Sequence, residues 1–299
     1  MAVSPEPKFQ TTGIMVRVLI ALVPGTAVAV WAFGLRMITI VVSAMLAAVA
    51  MEMVCTRSIK SLRDGSAVVT GILLGLCMPP TVPFWIVAIG SCIGIGIGKH
   101  IYGGLGKNLF NPAMVGYVAI LVSFPEQLTH FDALTGATAL EVVSHRGSST
   151  LFELGNHPSL GLFGAAGYEW INCAFLLGGA YLVAVRIISW HMPLAVLVGI
   201  ACPTVLFFDG GSAASWGSPL FHLFAGGTML TAFFIATDPV TSPTGRAQIW
   251  VYGLFVGITT MLIRKYGAWA DGFAFAILLA NILLPFIERR VPVAQAWNR

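Results

Sequence analysis

Gly71-Ile-Leu-Leu-Gly-Leu-Cys-Met-Pro-Pro-Thr-Val-Pro83 begins as a lipid-soluble helix and runs into three prolines within a dozen residues. A full helical crossing of a bilayer needs roughly 20 apolar residues. A helix that stops sooner leaves backbone groups unbonded, and hydrocarbon cannot satisfy them. It therefore has to end inside a bundle, against protein. The pattern returns at Thr231-Ala-Phe-Phe-Ile-Ala-Thr-Asp-Pro-Val-Thr-Ser-Pro243. Pro80 and Pro239 are 159 positions apart, and Pro83 and Pro243 are 160. Further on, Lys99-His-Ile-Tyr-Gly103 is echoed by Arg264-Lys-Tyr-Gly267, with 164 positions between Tyr102 and Tyr266.

Apolar runs surround both copies, at 14–34, 37–55, 66–79, 83–98, 111–124, 170–188, 193–208, 219–236, 249–263 and 270–287. Only 9% of the 299 residues are charged, against roughly 25% in a soluble domain. So little charge cannot face water all round, which excludes an ordinary soluble enzyme. The net charge of +4 is scattered over span ends and gives no nucleic-acid patch. The five cysteines form no CxxC pair, which argues against an iron–sulfur cluster held by this chain alone. The expected fold is an all-α polytopic membrane protein of about ten transmembrane helices, some broken or half-length. Five spans per copy is odd, so the two repeats are expected to be inverted. The expected organisation is a first repeat over 1–124, an outer loop over 125–169, a second repeat over 170–288 and a tail over 289–299.

If each run changes sides from a cytoplasmic N-terminus, Lys8, Arg17, Arg57, Lys60, Arg63, Lys99, Lys107, Arg186, Arg246, Arg289, Arg290 and Arg299 fall inside. Arg36, Arg146, Arg264 and Lys265 fall outside. That asymmetry obeys the positive-inside rule and sets both termini in the cytoplasm. Carboxylates near spans are costly, so Glu52, Asp238 and Asp271 are expected to face the interior or a terminus. Each could snorkel or cap a helix, Asp271 as an N-cap, or each could belong to an ion path. Asn108-Leu-Phe-Asn-Pro-Ala113 and Thr237–Arg246 read as further helix breaks, able to hold an ion or simply to turn. Gly94-Ile-Gly-Ile-Gly98 reads as a close-packing surface.

The 125–169 loop carries Asp132-Ala-Leu-Thr-Gly-Ala-Thr-Ala-Leu140. Gly136 and Ala137 leave the Thr138 hydroxyl open to a modifying enzyme. A threonine needs such help, being a weak nucleophile alone. The same four small residues would also suit an ordinary helix cap.

This run resembles the flavinylation signal of ion-pumping redox complexes, in which the threonine after Gly-Ala is esterified by the phosphate of FMN. Lys107-Asn-Leu-Phe-Asn-Pro-Ala113 resembles the same family's motif before its fifth span. The chain is similar to the family that joins the D subunit of the Rnf complex (RnfD) and the B subunit of the sodium-pumping NADH:quinone reductase, and its brief polar leader favours the Rnf side. The resemblance implies a covalent FMN on Thr138, with Asp132, Thr135, Gly136 and Ala137 as motif neighbours, attached by a Mg-dependent flavin transferase that uses FAD. It implies a multi-pass protein of the bacterial cytoplasmic membrane with its flavin loop in the periplasm. The implied partners are a second FMN-bearing subunit, two small polytopic subunits and peripheral subunits handling ferredoxin and NAD. The implied activity is electron transfer coupled to Na⁺ or H⁺ translocation, with the chain inactive by itself. The quinone-reductase relative adds a non-covalent riboflavin between the halves. A channel or secondary transporter with the same fold and no flavin is the competing reading.

Overall fold

The computed structural model describes residues 11–129, 139–144, 147, 149–154, 157–267, 269 and 271–291. Its helices are α1 (Thr11–Phe33), α2 (Leu35–Thr56), α3 (Ser66–Leu76), α4 (Phe84–Ile93), α5 (Pro112–Ser123), α6 (Pro125–Thr129), α7 (Ala139–Ser144), α8 (Tyr168–Ala184), α9 (His191–Leu206), α10 (Pro219–Leu223), α11 (Thr228–Leu230), α12 (Arg246–Tyr266) and α13 (Phe273–Arg290). Two wider turns of π type continue α4 through Gly94–His100 and α11 through Thr231–Ile235. Among the described residues there is no strand, only an isolated bridge between Leu160 and Ala165. Three helices, α1, α2 and α12, are long and apolar enough to cross a membrane. The chain is an integral membrane protein with an all-helical body.

The breaks sit where local chemistry puts them. Gly34, at φ 76°, turns α1 straight into α2, in a conformation that a side chain would strain. At α5 the Asn111 side chain accepts hydrogen bonds from the Ala113 and Met114 N–H groups, and Pro112 follows as the first helical residue. The α3 helix is 11 residues long, about 17 Å at 1.5 Å per residue. It ends before Pro79, as its sequence predicts. The run 219–236, expected as one span, is instead interrupted. Ser218 caps the short α10, and Gly226, at φ 57°, turns the chain before α11 starts. Apolarity continues through the turn, so hydropathy alone cannot see it. The tail of the run 170–188 also leaves the helix, at Arg186, which has φ 59°.

The packing recurs in the two parts of the chain. α2 lies against α3 and α4, and α4 against α5. Likewise α9 lies against the Thr231–Ile235 turn and α12, and α12 against α13. The parts meet where α1 packs on α8 and α5 on α13. Glycines set these distances. A Cβ on Gly178 would strike the Ala21 carbonyl, and one on Gly257 would strike the Val196 carbonyl. The Gly94–Gly98 surface packs as its sequence suggests, with Gly94 and Gly98 both against Pro112. One large apolar core runs through the bundle, from Met15 and Leu22 to Ile277 and Ile287.

Candidate functional site

Thr138, Asp132, Thr135, Gly136 and Ala137 lie outside the described residues. From Ala139 onward, the residues that follow the motif are firmly packed. Ala139, Leu140 and Val143 are buried against Ala165, Phe221 and Ala225. Ala139 and Leu140 also line a cavity of about 390 Å³. Its walls come from the end of α1 (Phe33), the start of α2 (Met37) and the segment after α3 (Met78, Pro79). The rest comes from α5 (Tyr117), the start of α8 (Tyr168, Asn172) and the start of α13 (Phe273).

Asp271 lines this cavity too. It does not cap α13, whose N-cap position is Gly272. One carboxylate oxygen accepts the Gly227 N–H at 2.9 Å, and the other accepts from Arg264 Nη2 at 3.2 Å. Arg264 is 1% exposed. Its guanidinium also donates to the His222 carbonyl at 3.0 Å, to the Ala225 carbonyl at 3.4 Å and to the Thr228 hydroxyl at 3.1 Å, and it stacks over Phe273. A single buried fork thus ties α10, α11 and the start of α13 together beneath the cavity.

The second cavity, of 140 Å³, opens at the other end of the same helices. Met15, Ser66, Lys99, Asn108, Asn111 and Asp238 are on its wall. Lys99 is 2% exposed and donates to Glu52 Oε2 and to Ser66 Oγ, both at 2.8 Å. The same Glu52 oxygen meets His100 Nε2 at 2.9 Å. Glu52 is itself 2% exposed, so it is held inside by partners and does not snorkel to an interface. Asp238 accepts from the Val240 N–H and the Thr241 hydroxyl. Asn111 and Asn281 join the two parts of the chain between the cavities. The Asn111 N–H donates to Asn281 Oδ1, and Asn281 Nδ2 donates to the Thr241 carbonyl and the Tyr252 hydroxyl.

The structure brings Asp271 to the cavity that Ala139 and Leu140 line, and Asp238 to the other cavity. Glu52 lies behind the second cavity's wall. Lys99 and Arg264, counted in the sequence as cations at opposite faces, are both buried. Their signal was present in the echo that aligns them, but charge alone does not report burial. Asn281 was missed altogether. Its signal is a lone amide within the apolar helix Phe273–Arg290.

Ligand pockets typically hold roughly 300–1,000 Å³ and combine apolar and aromatic walls with few polar groups. The larger cavity meets that description, with Phe33, Tyr117, Tyr168, Trp269 and Phe273 around it, and it suits a flat, partly polar ring. At 140 Å³ the second cavity is too small for a tricyclic flavin, though the buried Asn108 Oδ1 lies on its wall without a hydrogen-bond partner.

Fold and site together define a polytopic helical membrane protein whose charged and amide groups turn inward onto two cavities at opposite ends of one bundle. The model of the NQR2, RnfD, RnfE family matches residues 4–295, and the chain belongs to that family. It is similar to the D subunit of the ion-translocating oxidoreductase complex from Pseudomonas aeruginosa PAO1, at 42% identity over 93% of this chain and 90% of the relative. The proteins of that name from Alcanivorax borkumensis (41% identity, over 94% and 91%) and from Vibrio cholerae (39%, over 94% and 93%) are similar along their length as well.

Proposed function

We propose that this chain is the flavin-carrying integral membrane subunit of a redox-driven, ion-translocating complex of Rnf type. The observation that carries the reading is the position of Ala139 and Leu140. The two residues that follow the threonine motif form part of the wall of the larger cavity. A cofactor esterified to Thr138 has that aromatic-lined space beside it. The relatives' shared name, which describes one subunit of an ion-translocating oxidoreductase complex, agrees with the reading.

In this reading ten segments cross the membrane as two inverted five-span repeats. The packing that recurs between α1–α5 and α8–α13 supports this, as does the positive-inside count. The termini are cytoplasmic and the 125–169 loop is periplasmic, where a flavin transferase can reach it. The partners are the other membrane subunits and the peripheral subunits that handle ferredoxin and NAD. The coupled ion is Na⁺ or H⁺.

FMN supplies a ring that takes up and releases electrons. The chain's own residues do the rest. The phosphoester at Thr138 keeps the cofactor on the periplasmic face at high effective concentration. Phe33, Tyr117 and Tyr168 offer faces and edges for stacking and exclude water. The packing of Leu140 and Val143 fixes the chain that leads away from the tether. Asp238 is the carboxylate best placed for an ion path. It sits at a helix break on the wall of the second cavity.

Mass spectrometry of the 125–169 peptide from native membranes tests the proposal, with an FMN adduct on Thr138 as the expected result. Thr138→Val abolishes the flavin fluorescence of the denatured band. An unmodified wild-type peptide from the assembled complex would overturn the reading in favour of a flavin-free channel or transporter.

A further inference from the structure

We propose that the Arg264–Asp271 pair sets the reduction potential of the flavin in the larger cavity, with Asp271 acting on the ring and Arg264 as the positioning residue behind it. The inference rests on the reading of Thr138 as a flavin site.

Three observations carry it. First, of the described residues that line the cavity, Asp271 bears the one formal charge. The other ionisable groups on that wall are Cys77, Tyr117 and Tyr168, which are uncharged at neutral pH. Second, the pair is lopsided. The Asp271 side chain is 27% exposed and the Arg264 side chain 0%. The cavity therefore meets the anion directly and the cation only through it. Third, Asp271 cannot swing away. The Gly227 N–H holds one oxygen and Arg264 the other. A Cβ on Gly226 would collide with that carboxylate and crowd Leu140. The segment that fixes Asp271 thus also touches the chain that leaves the motif.

The electrostatic sign is fixed by the charge on the ring. Each electron from a donor centre in a neighbouring subunit adds one negative charge, unless a proton follows it. In a site of low dielectric constant a neighbouring carboxylate disfavours that charge, and a neighbouring guanidinium favours it. Asp271 therefore holds the potential down, and Arg264 moderates the effect while keeping Asp271 in place.

The test is an anaerobic redox titration of the covalent flavin in the full chain, co-expressed with its complex and its flavin transferase. The visible flavin absorbance is followed, and flavin loading is measured separately by in-gel fluorescence. Asp271→Asn is expected to raise the midpoint, with Asp271→Ser as a second neutral variant and Asp271→Glu keeping the wild-type value. Arg264→Gln is expected to lower the midpoint, and Arg264→Lys to restore the wild-type value. A purely structural role would move both neutral substitutions the same way. Flavin-bearing variants with unmoved midpoints, or with shifts of one sign, overturn the role of the pair alone. A wild-type chain without flavin overturns this inference together with the reading beneath it.

Discussion

Lys99 and Arg264 occupy echoed positions near the ends of the α4 and α12 segments, and both are buried, yet they are wired differently. Lys99 is a point charge with two partners, Glu52 from α2 and Ser66 from α3. Arg264 spreads its donors over two backbone carbonyls, one hydroxyl and one carboxylate. At the first site the cation itself lines the cavity. At the second the anion does. The lysine neutralises a charge that would otherwise be stranded. The arginine braces turns whose two carbonyls would otherwise share the single Thr228 hydroxyl. Only the burial of a cation is common to both.

Four substitutions sharpen or break that contrast, and unfolding of the purified protein in detergent measures each. The largest effect is expected for Lys99→Met. It leaves Glu52 buried with His100 as its remaining side-chain partner, and stranding one partner of a buried pair costs about 3–5 kcal/mol. The Glu52→Leu/Lys99→Met double variant recovers most of the loss, because the uncompensated charge has gone. A double variant no better than the single would show that Lys99 is structural in the way Arg264 is. Next comes Arg264→Lys. It keeps the charge beside Asp271 but gives up the fork to the His222 and Ala225 carbonyls, at a cost of about 1–3 kcal/mol. Asn281→Leu follows. It removes the acceptor of the Asn111 N–H and two donor contacts, for about 1–2 kcal/mol, and loosens the junction between the parts without touching either cation. His100→Gln is the mildest, under about 1 kcal/mol, since Lys99 still compensates Glu52.

Much of the helical layout was legible in the sequence, because prolines and caps announce themselves. Asn111-Pro112 and the proline cluster at 79–83 end or start helices for reasons of covalent geometry. The split of 219–236 was hidden, since Gly226 and Gly227 are as compatible with an apolar run as with a turn. The site was legible only in part. The threonine motif stood out by its polar setting and its family likeness, but nothing in Asp271 or Arg264 announced a partner seven residues away. A charge near a span end reads the same whether it meets water or lies inside, and only packing distinguishes the two.

Between the cavities the bundle is thin. Ala113 and Phe234 face one cavity, while Met114, Phe175 and Ile235 face the other, and the rings of Phe175 and Phe234 meet edge to face at 5.9 Å. With water reaching into both cavities, the voltage across the bilayer would drop mainly over this one aromatic partition. The bundle would then act as a capacitor with a very narrow gap, and an ion crossing there would do nearly all its electrical work within a single layer of side chains.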